Sequence, residues 1–443
     1  MKANLVPVYF QDEKDPGFVK QVEVLKDLLK DTAELSAPVK LGDPVPDSAD
    51  AVVFPQMLGE AYRHVEDFQK LPQPILVITS EFGTVSMWDW EINSFLGSYG
   101  VKVIAPANLE STLKACKAIA LKKQLKQSKL LVYQDNPGEG FQAEIFKRFY
   151  WWEDECIQSL EKKFGVQVVK KSFEALGAYA QSLSDEAARQ VWAKWEERIP
   201  VADLSERQIL SAVKVYMALK EELDQDPDII AAGINCLNES HFSDTTPCLA
   251  WNMLYEERNL AWGCEADLVV MLTEVLLDKA LGVPFMMTNL YPFLMGMAAL
   301  KHENIPHFPE VDSEFENHIL TAHCGYLGVV PQSFSTEWTL RKKVLAIVND
   351  NATAIDARMA EGEMTLVKLV PPFDKLSVIE GQITKYAQFT NSDCLNGAVL
   401  KVPNGKRMMN ELASHHYILT HGHNLSDLDM LAKVFDMEVA VID

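Results

Sequence analysis

Apolar positions in the first 125 or so residues follow two alternating periods. Leu5, Val6, Val8 and Phe10 make an apolar opening strand, after which Phe18, Val22, Leu25 and Leu29 recur at helical spacing. Ala51–Phe54, Pro74–Thr79 and Val101–Ile104 are further short β-rich runs. Strands separated by helical stretches predict a parallel sheet with helices on both faces. The basic, polar run Lys122–Lys129 reads as a connector.

A second α/β unit is expected to begin with a strand at Leu130–Gln134. A helical stretch over Phe141–Phe164 and a strand at Val166–Lys170 follow, and then three helices between Ser172 and Glu222. Ile229–Cys236 reads as a buried strand, and Pro247–Glu257 and Cys264–Leu281 as helices. Beyond this point Pro and Gly become frequent and short β-type runs dominate, at Thr365–Val370, Val378–Tyr386 and Ala398–Val402. That pattern suggests a barrel or sandwich, with a helix returning only at Leu425–Phe435. The expected organisation is an N-terminal α/β domain over residues 1–125, a central one over 126–285 and a β-rich domain over 286–443.

Composition narrows the function classes. At 443 residues the chain is too long for one core, and 48% hydrophobic with 23% charged residues is ordinary for a folded globular protein. The net charge of -22, with no basic stripe, repels phosphate backbones and argues against a nucleic-acid partner. Met1–Lys14 carries charges and lacks the apolar centre of a signal peptide. The uncharged run Ala280–Leu300 is long enough to question as a membrane span. Gly282, Pro284, Asn289, Pro292 and Gly296 interrupt it, so buried strand and loop is the better reading. Seven scattered cysteines without CxxC spacing suit a reducing cytoplasm.

Candidate chemistry is concentrated in a few places. Asp135–Gly140 (DNPGEG) follows a strand and precedes a helical stretch, but lacks the lysine and the spacing of a phosphate loop, so a plain βα turn is expected. Of the 10 histidines, four fall within His415–His423. Adjacent histidines on a strand face opposite sides, so at most one of His415 and His416 is expected at a given site. His323 ends an apolar strand, and Glu265 and Asp267 open an apolar helix. Imidazole nitrogens with carboxylate oxygens suit a divalent Mn, Fe, Co or Zn ion. Singly, a strand histidine is also an ordinary core residue, and a glutamate at a helix start is favourable to the dipole. Phe149–Trp152 (FYWW) reads either as a packing face or as a platform for a sugar ring.

The segment from His415-His416-Tyr-Ile-Leu-Thr-His-Gly-His-Asn-Leu-Ser-Asp-Leu to Glu438-Val-Ala-Val-Ile-Asp443 resembles the C-terminal signature of L-arabinose isomerases. Phe242–Asp267 is similar to the same family's Pro-x-Leu-Ala helix leading into its metal-binding Glu motif. The resemblance to the L-arabinose/L-fucose isomerase superfamily is concentrated in residues 229–327 and 408–443. It implies two Rossmann-like α/β domains followed by a C-terminal β-barrel-like domain. It also implies a cytoplasmic, manganese-dependent sugar isomerase that assembles as a homo-oligomer, a trimer or hexamer.

Carried over by position, Glu265 is metal ligand and acid/base group, and His323 and His416 are further ligands. Tyr291, His415 and Trp88 are candidate sugar contacts, Trp88 through a neighbouring subunit. One departure bears on mechanism. The family carries a second active carboxylate where this chain reads Phe285-Met-Met-Thr288-Asn289-Leu-Tyr291, and neither Thr288 nor Asn289 is a base at neutral pH. Glu265 then works alone with a water or His323 relaying the other proton, or another carboxylate such as Glu239 or Asp267 swings in, or the reaction differs or catalysis is lost. Asp267, two residues along a helix from Glu265, is expected to point elsewhere.

Overall fold

The computed structural model describes the chain except residues 57, 58, 73, 80–88, 137–142, 303, 304, 312, 313, 324–327, 343–349 and 390–395. Trp88, expected at a sugar site, lies outside the described residues. The chain divides into two compact units. The first comprises Met1–Lys126, Lys279–Gly282 and Ser426–Glu438, and the second comprises the remainder.

In the first unit, β1 (Ala3–Tyr9), β2 (Ala33–Leu35), β3 (Val39–Lys40), β4 (Ala51–Phe54), β5 (Ile75–Val77) and β6 (Val103–Ile104) pair in parallel. Their order is β2-β1-β4-β5-β6, with β3 beside β1. Asp15 caps the helix Pro16–Leu29 by accepting from Phe18 N at 2.8 Å, and the predicted stripe Phe18, Val22, Leu25 and Leu29 is its buried face. The basic run at 122–129 holds the passage from the first unit, which ends here at Lys126, to the second, which begins at Gln127. The helix Leu109–Gln124 runs into it, with Lys122 and Lys123 in its last turn, where positive charge is favourable to the helix dipole.

The second unit opens with a parallel sheet of β7 (Lys129–Tyr133), β8 (Gln167–Lys171), β9 (Ile229–Ile234) and β10 (Ala261–Cys264), in the order β10-β9-β7-β8. The three expected helices run over Phe173–Ser182, Asp185–Trp192 and Glu206–Gln225. The stretch expected as one helix over 141–164 is two, Phe146–Tyr150 and Asp154–Phe164. Trp151 stops the first with a left-handed backbone at φ 62°.

The chain then lays down β11 (Met286–Pro292), β12 (His318–Ala322), the hairpin β13 (Glu337–Lys342) and β14 (Thr353–Arg358), and β15 (Gly362–Val370). β16 (Lys375–Ala387), β17 (Gly397–Lys401), β18 (His416–His421) and β19 (Glu438–Val441) complete it. Antiparallel pairing runs β15-β18-β11-β12-β17-β16 and returns from β16 to β15, closing a six-stranded barrel, with β19 added beside β16. Closure leaves its strands with no open edge. The 280–300 run becomes buried β11 with short helical turns, and among the described residues no helix is long and apolar enough to cross a membrane. The helix Gly405–Glu411 also precedes the final one, against the expectation of a single late helix.

Candidate metal centre

β10 ends at Cys264, and the next two residues, Glu265 and Ala266, both take left-handed backbones at φ 56° and 54°. This turn lets Asp267, rather than Glu265, cap the following helix Leu268–Leu276, its Oδ1 accepting from Val270 N at 3.0 Å. Strain at two consecutive non-glycine residues is characteristic of a functional position. It puts Glu265 outside the helix, so the helical spacing expected between residues 265 and 267 does not apply.

Both side chains meet the start of β18. His416 Nε2 lies 3.3 Å from Glu265 Oε2, and His416 Nδ1 lies 2.9 Å from Asp267 Oδ2. Asp267 therefore points into the site, contrary to expectation, and orients the imidazole from behind. Lys368, from the middle of β15, brings Nζ to 3.6 Å from the same carboxylate oxygen, with both side chains almost fully buried. Burial works against charge on Asp267, yet Lys368 and His416 hold its carboxyl below the usual range. Burial likewise pushes the Lys368 ammonium down, against the pull of Asp267.

The two histidines are not divided between faces. His415 precedes β18 rather than belonging to it, so strand alternation does not govern it, and the two rings lie 4.2 Å apart. Burial, His416 and Lys368 together lower the His415 imidazole well below its usual value, which keeps it neutral with a free lone pair. Ligand atoms of Glu265, His415 and His416 all lie within 4.8 Å of one another. Among the described residues this is the group of histidines and carboxylates able to hold a metal ion. The donors fit a divalent cation, since Glu265 Oε2 is buried and accepts no hydrogen bond.

His323, expected as a ligand, follows β12 and is buried edge-on to Trp262 at 5.4 Å; it is not one of the three. Asn289 is the Cα partner of both His416 and Ala322, so β11 does carry it beside the cluster. Its amide nitrogen donates to Tyr291 Oη at 3.1 Å, while its buried Oδ1 has no hydrogen-bond partner. Thr288, one residue away, is spent on carbonyls of its own neighbourhood. Glu239 is not free to swing in, because its carboxylate accepts from the backbone N–H groups of Asp135 and Asn136. Burial outweighs those bonds and raises its pKa.

The aromatic stretch divides its roles. Tyr150 stacks on His416 at 4.8 Å and 6°, with its hydroxyl 3.4 Å from His415 Nε2. Burial and then Glu265 raise its phenol far above the ordinary value, so it stays protonated and acts as a donor. Trp152 Nε1 donates to Ala266 O at 3.2 Å, clamping the strained turn. Sequence reasoning missed the roles of Tyr150, Asp267 and Lys368. Tyr150 and Asp267 stood out only as parts of an aromatic run and a helix start, and Lys368 left its signal as one charge inside the apolar strand Thr365–Val370.

No protein-family model matches the chain, and no curated protein matches it significantly.

Proposed function

We propose that this protein is a divalent-metal-dependent aldose–ketose isomerase acting on an unphosphorylated sugar, with Glu265 as its proton-transfer base. The observation that carries the reading is the convergence of Glu265, His415 and His416 around a point backed by Asp267. When bound there, a divalent ion, Mn2+ by preference, supplies polarisation of the sugar carbonyl and neutralises negative charge on its oxygens.

The chain's own groups supply the rest. Glu265 removes the C2 proton and returns it to C1, the one exchange that defines an enediol route. Asp267 keeps the His416 Nδ1 proton in place and so leaves Nε2 facing Glu265. Tyr150, protonated throughout the working range, donates rather than competes for the proton. Asn289 offers an oxygen acceptor but no base, so the O2 hydroxyl proton passes to O1 through a relaying water rather than through a second carboxylate. That same replacement favours a second reading, in which the scaffold handles a modified sugar or glycoside, or binds a sugar without turnover. A homo-oligomer belongs to the proposal as well.

The test is proton NMR in D2O with Mn2+ and a panel of aldoses. Ketose formation or loss of the C2 proton is expected, falling about a thousandfold in Glu265→Gln. Metal bound with no exchange on any sugar removes the isomerase reading.

A further inference from the structure

Two buried amides stand at strand ends where neither the fold nor the metal centre uses them. Gln134 follows β7 and Asn235 follows β9, and they are 6% and 0% exposed. The nitrogen and oxygen of both side chains lack any hydrogen-bond partner. A buried polar group without a partner loses its hydration for nothing, and a fold rarely gathers four such atoms in one place without a use.

Their position points to the use. From β7 the chain passes to β8 on one side and later to β9 on the other, so the strand order reverses between β7 and β9. In open α/β sheets, ligands enter the crevice beyond the carboxyl ends of the strands at such a reversal. Tyr133, Ile234 and Cys264 are in register across β7, β9 and β10. The residues that follow them, Gln134, Asn235 and Glu265, therefore succeed one another along the edge of the sheet.

The backbone ladder continues through this row. Gln134 N donates to Lys171 O, Asn235 N to Tyr133 O and Ala266 N to Ile234 O, each at 3.0 Å. Neighbouring strands lie about 4.8 Å apart, so the row runs about 10 Å from Glu265 to Gln134. Glu239 ties down its far end, its own N–H donating to Asn235 O at 3.1 Å while its carboxylate holds the residues after Gln134.

We infer that Gln134 and Asn235 form a distal subsite of the Glu265 pocket, binding the hydroxyl groups of a linear polyol chain that extends away from the reacting carbons. The identity of the ligand rests on the sugar reading above. An amide offers two donors and an acceptor, and a hydroxyl offers both in return, so a run of hydroxyls satisfies both side chains. With C–C bonds of about 1.5 Å, a six-carbon chain reaches about 7 Å and a four-carbon chain about 4 Å, so only the longer chains, with their hydroxyls, approach both ends of the row. Both amides are closed from solvent, as His416 is, so entry has to part what covers them.

The test uses erythritol, arabinitol and galactitol, unreactive polyols of increasing length, in calorimetric titrations of the Mn2+-loaded chain. Affinity is expected to rise with length. Asn235→Leu weakens the two longer polyols about five- to tenfold, and Gln134→Met abolishes the gain from five carbons to six. Neither changes Mn2+ affinity by electron paramagnetic resonance. Both raise the melting temperature of the polyol-free chain, because an unpaired buried amide has been replaced by an apolar group of similar size. Unchanged polyol binding in both variants overturns the inference, as does a parent chain that binds none of the three.

The two readings fail separately. If the length pattern holds but no aldose exchanges its C2 proton, the isomerase proposal falls and the subsite stands. If exchange occurs and the variants bind like the parent, the subsite alone falls.

Discussion

At Asp267 one carboxylate serves two elements: Oδ1 caps a helix and Oδ2 holds His416 at 2.9 Å. Asp267→Asn keeps the cap and removes the charge, so Mn2+ affinity is expected to fall about ten- to a hundredfold with little loss of helix content. Titration followed by electron paramagnetic resonance checks the first and circular dichroism the second.

Glu274, fully buried on the same helix, accepts from Trp262 N at 2.7 Å. Burial raises its pKa well above the ordinary carboxylate value. The folded chain therefore keeps a proton that the unfolded chain releases above about pH 4.3, and stability drains away as pH rises from there. Glu274→Gln retains the acceptor and has no proton to lose. Its melting temperature relative to the parent is expected to climb between pH 4 and pH 7, and a difference independent of pH would contradict this assignment. Neither role was legible in the sequence, because a carboxylate's partners come from strands and helices far along the chain.

Among the elements, those with a long apolar period are legible from local pattern alone. The helix at 16–29, the buried strand at 229–234 and the late helix at 425–434 fall where the pattern puts them. Errors gather where local and tertiary demands differ. The aromatic run at 146–152 reads as continuous helix, yet Tyr150 is drawn onto His416 and Trp152 onto the Ala266 carbonyl, and Trp151 breaks the helix between them.

The barrel has its own constraint at Gly397, which begins β17 against β12. A Cβ there meets Thr321 O at 1.9 Å, which no side-chain rotation relieves. Gly397→Ala is expected to cost about 3 kcal/mol or more of stability, seen as a lower urea midpoint. The substitution leaves Glu265 and β10 untouched.

For the molecule as a whole, a ligand that binds only the folded chain stabilises it by mass action, about 2.7 kcal/mol at a hundred times its dissociation constant. Mn2+ is therefore expected to raise the melting temperature of the parent chain and to leave that of His416→Ala unchanged; an equal rise in both would place the ion elsewhere. The sequence by itself determined the succession of parallel α/β sheets and a β-rich end, because apolar periodicity is a local property that each element carries alone. It also marked Glu265 and the His415-His416 pair as candidate ligands, since residue types and their spacing are local too.

Only the tertiary structure decided that the β-rich end closes into a six-stranded barrel, since closure depends on which strands pair. The structure alone also brought His415 to the same point as His416, freed Asp267 from its helical spacing by a left-handed turn at residues 265 and 266, and seated Lys368 behind it. Those outcomes depend on backbone direction at single residues and on contacts between residues about 150 positions apart, such as Glu265 and His416, which no local pattern encodes.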